Sequence, residues 1–547
     1  MTGGIDEDYR LEITEIFTRI AACDLQGTGI KETMPSYSCN KYAKNVRVCY
    51  MELALKFADI TGYEAAGDLI VTHEESMETA IPEYCPDLAR IVDTVGQVNI
   101  REKNLSDGRL NIGGTIRVTV LYTSEESAGL RSLTLSVPFS CGVEDKRQCE
   151  SVCVDSRLLL LEVKPLGTRK LYVRVLPEFR VRGYRKWTQC ICTGASDSAG
   201  LQLRCESVTL PLMSRVWERE FPFAQEIPPE SGESAPEDLL MDRTFLRVTA
   251  CQHFGSKLVV KGEAVLSILY RAEGQRLCSR EVTLPFSQIM EGEELPEETE
   301  LSCTARILDR EVHQVRTENG NGFGVTMRIG VVICAFEQRE VEYVSDLYST
   351  RCSLDAVRQP VTFVTAQLPD ETRCNVSQHL EDAGSFVYLT AAEAAVPEVA
   401  TEGGSSTART SVRLRVLYID ESGAPVTAER TCEISAQLRQ TPSAAQIAVE
   451  PETWQRAGGA YDLHLPVTFC LRHAGEESVT AVSSVNEQGE VDRAAMPSLI
   501  LRRLRDGETL WDVAKQCRTQ QQAIIAANEL EQGADLNDIM LLIPKMR

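Results

Sequence analysis

The 547-residue chain lacks an excess of positive charge, and this absence excludes two large classes of partner. Lysine and arginine total 57 against 80 aspartate and glutamate residues, so the formal net charge is −23. Nucleic acids and anionic membrane surfaces are bound by basic faces, and we therefore expect neither as a partner. The sequence also lacks an apolar run of about 18 residues, so we expect no membrane-spanning helix.

Catalytic motifs are also missing. The sequence holds no G-x-S-x-G, no H-E-x-x-H and no Walker loop. Gly320, Gly322 and Gly324 lie between two strand-like runs, but neither a lysine at P-loop spacing nor a helix follows them, so they predict a hairpin loop. We therefore expect no enzyme. A Cys–His or carboxylate pair assembled in space is the alternative that spacing alone leaves open.

The 19 cysteines include no C-x-x-C pair. The closest two, Cys190 and Cys192, point the same way if they lie in a strand. None of the six histidines stands at zinc-ligand spacing from a cysteine. The acidic N-terminus shows no apolar segment of a secretory signal, so we expect free thiols in the cytoplasm, with no metal and no cofactor.

Hydrophobic residues make up 43% of the chain and charged residues 25%, which excludes wholesale disorder. Within it, a five-residue apolar pattern recurs at a fixed spacing. Val118–Tyr122 reappears as Leu266–Tyr270 and as Leu414–Tyr418, and the tyrosines are 148 residues apart in both steps (270 − 122 and 418 − 270). The alternation predicts a strand in which every second side chain is apolar and buried on the same face. Gly114 and Gly262 also correspond upstream, whereas the third copy has threonine there.

This spacing predicts a mainly β, α+β chain of three tandem units and a small C-terminal domain. The predicted boundaries are an N-terminal extension over 1–50, units over 51–203, 204–350 and 351–497, and a domain over 498–547. The extension resembles nothing in the repeat. Met51 is therefore one candidate for the native start, and a helical extension is the other.

Local signals predict further elements inside the units. Asp107-Gly108 predicts a tight turn between two strands, and further strands are expected over 133–139, 158–163 and 170–176. Short helices are expected near 86–91 and in the 440s. Linker-like compositions cover 193–200, 229–237 and 401–407.

Residues 501–547 follow a strand–helix–helix–strand pattern. Thr509 with Asp512 predicts a capped helix, and Thr519 with Gln522 predicts a second one running through Asn528. The apolar positions of the first helix are Leu510, Val513, Ala514 and Cys517, those of the second are Ile524 and Ala527, and the strands are expected over 501–504 and 540–543. Trp511 is interpreted as a core side chain of this module, with an exposed interface anchor as the alternative.

Three stretches of this module, Asp506–Trp511, Ala526–Leu530 and Leu541–Pro544, resemble a LysM domain. The resemblance implies a βααβ fold and, for most members, binding of N-acetylglucosamine glycans of peptidoglycan or chitin. The candidate groove residues that it implies are Gly507, Glu508, Thr509, Asp535, Asn537 and Asp538. Asp538-Ile539 stands where the family usually has Gly-Gln, which changes the groove. The alternative is that these residues only fold the module.

The repeated unit resembles the SPOCS domain through Ile81–Asp87, the V-x-V-L-Y strand and Val137–Ser140. The family occurs in clostridial spore-coat and morphogenetic proteins, where tandem SPOCS units precede a C-terminal LysM. The resemblance implies a non-enzymatic coat scaffold in the mother cell, at the forespore surface, whose LysM is recruited to the morphogenetic ATPase of the coat's basement layer. The alternative is an exported cell-wall protein that binds peptidoglycan.

Overall fold

A computed structural model gives the fold of residues 53–545, except 126–128, 197–199, 231, 233, 319, 382–383, 458–459, 493–496, 498, 506 and 532–538. The predicted extension over 1–50 and the candidate start at Met51 lie outside the described residues. Strands form most of the described chain, which confirms the β-rich class. No helix among the described residues is long and apolar enough to cross a membrane.

The first strand group covers residues 55–195 and contains seven strands. They are β1 (Leu55–Thr72), β2 (Glu75–Ala80), β3 (Arg90–Ser106), β4 (Arg109–Thr123), β5 (Leu130–Glu144), β6 (Ser151–Gly167) and β7 (Lys170–Ala195). The long strand β1 pairs with the long strand β7, which also pairs with β2 and β6. Strands β3, β4 and β5 form a separate antiparallel sheet with β4 at its centre.

The second strand group covers residues 201–349 and repeats this pairing. Its strands are β8 (Leu201–Ile227), β9 (Pro236–Phe254), β10 (Lys257–Ala272), β11 (Arg276–Glu291), β12 (Glu300–Thr317) and β13 (Gly320–Ser349), with a short 3-10 turn over Glu273–Gln275. The first strand β8 again pairs with the last strand β13, and β10 is the centre of a three-stranded sheet. β12 and β13 form the hairpin that the glycines predict, although all three glycines lie within the first residues of β13 rather than in the connection.

The third strand group covers residues 352–490. Its strands are β14 (Cys352–Leu380), β15 (Val387–Ala394), β16 (Glu398–Glu402), β17 (Ser405–Ile419), β18 (Pro425–Leu438), β19 (Ala444–Val449), β20 (Thr453–Ala457) and β21 (Ala460–Glu490). β14 pairs with β21, and β17 is flanked by β15 and β16 on one side and by β18 on the other. In each strand group the first and last strands therefore pair with each other, and a smaller sheet of three or four strands lies between them in the sequence.

The recurring apolar pattern occupies the central strands β4, β10 and β17. As predicted, its inward side chains are all buried: Ile116, Val118, Val120, Ala264, Leu266, Ile268, Val412, Leu414 and Val416. Tyr122, Tyr270 and Tyr418 lie near the ends of these strands. One face of each central strand packs into the core of its own strand group, which explains why its alternation is the strongest signal in the sequence.

Glycine is required next to the pattern by a close approach between backbones. A Cβ added at Gly114 would collide with the carbonyl oxygen of Asn99, and one at Gly262 with that of Arg247. Both glycines lie at register shifts between the central strand and its neighbour. In the third strand group the neighbour is divided into β15 and β16, and the Thr410 hydroxyl donates to the Ala395 carbonyl at 2.8 Å in the gap.

The sheets around the central strands of the three groups meet at one buried cluster, here called the central cluster. Its members are Leu121, Leu130, Leu240, Met241, Leu269, Tyr388 and Leu417. Ion pairs link each group to both of the others: Arg117 to Asp242 at 2.6 Å, Arg243 to Glu452 at 2.5 Å, and Arg415 to Asp93 at 3.0 Å. The groups therefore form a closed arrangement rather than a linear array.

Three predicted features are wrong. The predicted helix near 86–91 is a loop followed by β3, and the predicted helix in the 440s is the strand β19. The predicted linker over 401–407 is a hairpin, because Gly403 and Gly404, both with positive φ, connect β16 directly to β17. In each case long-range pairing decides the structure of a short segment whose local pattern is ambiguous.

Candidate functional site

The C-terminal module consists of two short strands and two helices of seven residues each. They are β22 (Leu499–Arg502), α1 (Leu510–Gln516), α2 (Gln521–Ala527) and β23 (Leu541–Pro544), and the two strands pair antiparallel. Leu510, Val513, Ala514, Ile524, Leu541 and Ile543 form its core. Asn528 joins α2 to β23, because its amide donates to the Ile524 and Leu542 carbonyls and accepts from the Leu542 amide.

The caps of the two helices differ from each other. Thr509 and Asp512 form the predicted capping box, since each side chain accepts from the backbone N–H of the other residue. The second predicted box is wrong: α2 has Gln520 as its N-cap and no side-chain cap bond. Thr519 instead donates its hydroxyl to the Pro544 carbonyl at 3.0 Å. The prediction that Ala527 is buried is also wrong, because it is exposed.

The described members of the predicted groove hold the loop before α1 in shape. Gly507 has a φ of 77°, a left-handed conformation that favours glycine. The Glu508 carboxylate accepts from the Arg502 guanidinium at 2.5 Å and from the Arg505 amide at 3.1 Å. Thr509 is the helix cap described above. Asp535, Asn537 and Asp538 lie outside the described residues.

Trp511 packs against the three strand groups, here together called the body, as well as within the module. Its indole N–H donates to the Asp346 carboxylate at 2.8 Å, and its ring makes a T-shaped contact with the Tyr348 ring at a centroid distance of 4.9 Å. The side chain is only 8% exposed. The interpretation of Trp511 as a plug of the module's own core is therefore incomplete, because Asp346 and Tyr348 at the end of β13 also contact it.

Residues 346–353, at the junction of β13 and β14, form a surface here called the seat. Lys515 donates to both carboxylate oxygens of Asp346, at 2.6 and 2.8 Å. The Tyr348 hydroxyl donates to the Thr519 carbonyl at 2.7 Å, and Arg518 donates to the Ser353 hydroxyl at 3.1 Å. Burial raises the pKa of Asp346, but the hydrogen bonds from Lys515 and Trp511 outweigh it and hold that pKa below its ordinary value.

Opposite to the packed core, the module presents an exposed apolar face. Leu499 is 54% and Leu501 62% exposed, and both point to the outer side of the two-stranded sheet. Their cross-strand partners Pro544 and Leu542 share that side and are half-buried. The apolar face is defined here as these four residues, and the exposed Ile525, Ile539 and Met540 add further apolar surface to the module.

Other chemistry is sparse in the described part of the chain. No group of three or more histidine, cysteine, aspartate or glutamate side chains there could hold a metal ion. The 16 described cysteines are all free thiols: six are buried, eight are half-buried, and Cys190 and Cys205 are exposed. Cys23, Cys39 and Cys49 lie outside the described residues.

The loop over residues 81–88 in the first strand group is braced by one arginine. Arg169 donates to the Cys85 and Pro82 carbonyls and to the Asp87 carboxylate, the last at 2.5 Å. The Tyr122 hydroxyl donates to the Pro86 carbonyl at 3.3 Å. Tyr84 is 86% exposed at the tip of this loop.

Comparison with known proteins identifies the segment that follows this loop. Residues 87–162 match the family model described as "SipL, SPOCS domain". They include β3, β4, β5 and most of β6, the three-stranded sheet of the first strand group and the strand after it. Neither the curated proteins nor the solved structures gave a match. The match shows that residues 87–162 are similar to a SPOCS domain, and it supports a role related to sporulation.

Proposed function

We propose that this protein is a non-enzymatic scaffold of the spore coat, which acts in the mother cell at the forespore surface. In this proposal the three strand groups are tandem SPOCS-like repeats, and the C-terminal module is a LysM-like domain. The module docks onto a morphogenetic protein of the coat's basement layer. The SPOCS match at residues 87–162 and the shared pairing of the three strand groups support it.

The observation that carries the proposal is the apolar face. A contiguous exposed apolar patch on a folded protein is typical of an interaction surface. Leu499 and Leu501 are both more than half exposed, although the strand β22 that holds them is paired with β23. Burying them on a protein partner would remove apolar surface from water, whereas a glycan offers mainly hydroxyl groups to such a face.

The charge distribution suits a bridging role. Residues 502–547 hold seven basic and seven acidic side chains, so the whole net charge of −23 lies in the preceding residues. A neutral docking module does not repel an acidic partner, while the acidic body disfavours non-specific association between copies. One end of the protein is thus adapted to bind and the rest to stay soluble.

The test uses the purified full-length chain as bait. It is incubated separately with a lysate of sporulating cells and with isolated peptidoglycan, and captured proteins are identified by mass spectrometry. We expect capture of the basement-layer ATPase and no pelleting with peptidoglycan. Leu501→Asp should abolish capture, because it places a charge in the apolar face.

The matched control is Leu166→Asp, which makes the same substitution at a similarly exposed leucine of β6, 52% exposed. It should leave capture unchanged. Pelleting of the wild-type chain with peptidoglycan, together with no capture of the ATPase, would contradict the proposal and favour the cell-wall function. Equal loss in both variants would show that the apolar face is not the docking surface.

A further inference from the structure

Helix α1 is used on two sides, and this leaves none of its large side chains for a partner. Leu510, Val513 and Ala514 lie in the core of the module. Trp511 and Lys515 point to the seat and meet the same carboxylate, that of Asp346. Because one face of α1 packs in the module and the other bonds to the seat, the helix is fixed relative to both the module and the body.

The seat is built for an occupant. Asp346 lies at the end of β13 and is buried with the module in place, and a buried carboxylate is costly unless donors satisfy it. Besides the Leu347 amide, Trp511 and Lys515 donate to it, and both belong to the module. Tyr348 is fully buried, and its hydroxyl reaches the Thr519 carbonyl. Without the module, both groups would stand uncovered at the junction of β13 and β14.

Arg518 adds a contact that depends on orientation. It lies just after α1 with a φ of 52°, a left-handed conformation that is rare for a residue with a side chain. From there its guanidinium donates to the Ser349 and Cys352 carbonyls at 3.3 and 3.4 Å and to the Ser353 hydroxyl. These acceptors lie on both sides of the junction, so the guanidinium reaches all three together only in one orientation of the module.

We infer that residues 346–353 are an intramolecular docking surface that fixes the orientation of the C-terminal module, and that Asp346 is its positioning residue. Trp511 acts through this contact rather than by touching the partner. The apolar face lies on the outer side of the two-stranded sheet and is thereby held outward. The role of the seat in presenting this face rests on the proposed function.

The experiment compares Asp346→Asn, Lys515→Met and wild type as full-length chains. Asparagine keeps the size of the side chain and one acceptor oxygen but loses the charge, while methionine keeps the stem of Lys515 without its ammonium. We expect hydrogen exchange of the amides over 510–516 to accelerate about tenfold or more in both, because a charge-assisted hydrogen bond is lost. Circular dichroism should stay unchanged, and capture of the basement-layer ATPase should fall several-fold.

The matched control is Asp355→Asn, the same change at an exposed carboxylate of β14 close to the seat. It should alter neither exchange nor capture. Unchanged hydrogen exchange over 510–516 in Asp346→Asn would overturn the inference that the seat fixes the module. Faster exchange with undiminished capture would overturn its positioning role. If the wild-type chain itself captures no ATPase, the proposed function fails, while the exchange result still decides whether the seat exists.

Discussion

Leu269→Ala tests whether the three strand groups share one core. Leu121, Leu269 and Leu417 come from the central strands of the three groups, and all three are fully buried in the central cluster. Leu266 and Leu414 belong to the same central strands but lie in separate clusters, each inside its own strand group. The two kinds of leucine therefore make different predictions for double substitutions.

The expected magnitude follows from the burial. Leu→Ala removes apolar groups worth about 2 kcal/mol of transfer free energy at about 0.8 kcal/mol per methylene. The cavity left behind brings the usual loss of unfolding free energy to about 2–5 kcal/mol. Because neighbours from three groups surround Leu269, collapse of the cavity would require all of them to move. We expect the loss to lie in the upper half of that range.

The assay is urea unfolding followed by circular dichroism and tryptophan fluorescence, with both probes compared because a chain of this size can deviate from two-state behaviour. Leu269→Ala combined with Leu417→Ala should show a coupling of about 0.5–3 kcal/mol, as expected for residues that share a cavity. The matched pair Leu266→Ala with Leu414→Ala should be additive to within about 0.5 kcal/mol. Additivity in both pairs would refute the shared core.

Three further expectations concern the braced loop, the seat and the thiols. Arg169→Met should accelerate hydrogen exchange in the loop that it braces, whereas the neighbouring Lys170→Met, which loses only a surface ion pair, should not. The pKa of Asp346 is lowered in the folded protein, so the contribution of its carboxylate to docking is fully present above its ordinary pKa of 3.8. That contribution is lost as the pH falls through the lowered value. Hydrogen exchange of the amides over 510–516, measured between pH 7 and about pH 2, should show this loss. Cys190 and Cys205 should react first with a thiol reagent, and the denatured, unreduced chain should titrate most of its 19 cysteines; several missing thiols would indicate disulfides and favour export.

The strands could be predicted because their signals are local. Alternation over Val118–Tyr122 reports burial on one face of a central strand, and the turn between β3 and β4 lies at Asp107-Gly108 as the dipeptide indicates. The capping box of Thr509 and Asp512 was equally accessible, since it needs only a spacing of three residues. The helix predicted near 86–91 is wrong because a few apolar positions fit a short helix and a strand equally well.

The seat could not be predicted, because its partners are far apart in the sequence. Trp511 and Asp346 are 165 residues apart, and neither belongs to a motif that indicates the other. A lone tryptophan on a helix predicts burial but does not say against what. Similarly, the LysM resemblance places Glu508 in the candidate groove, and only the structure shows that the carboxylate of Glu508 accepts a hydrogen bond from Arg502.

The closed arrangement of the strand groups determines the order in which the chain can complete its fold. Arg415 reaches Asp93 across 322 residues, and β1 must wait for β7 before it can pair. Contacts of such sequence separation slow folding, because loop closure precedes the interactions that reward it. In a linear array a repeat can be added or lost at little cost. Here the last strand group to leave the ribosome completes the closed arrangement, and a chain that stops short of it leaves the first sheet without its neighbour.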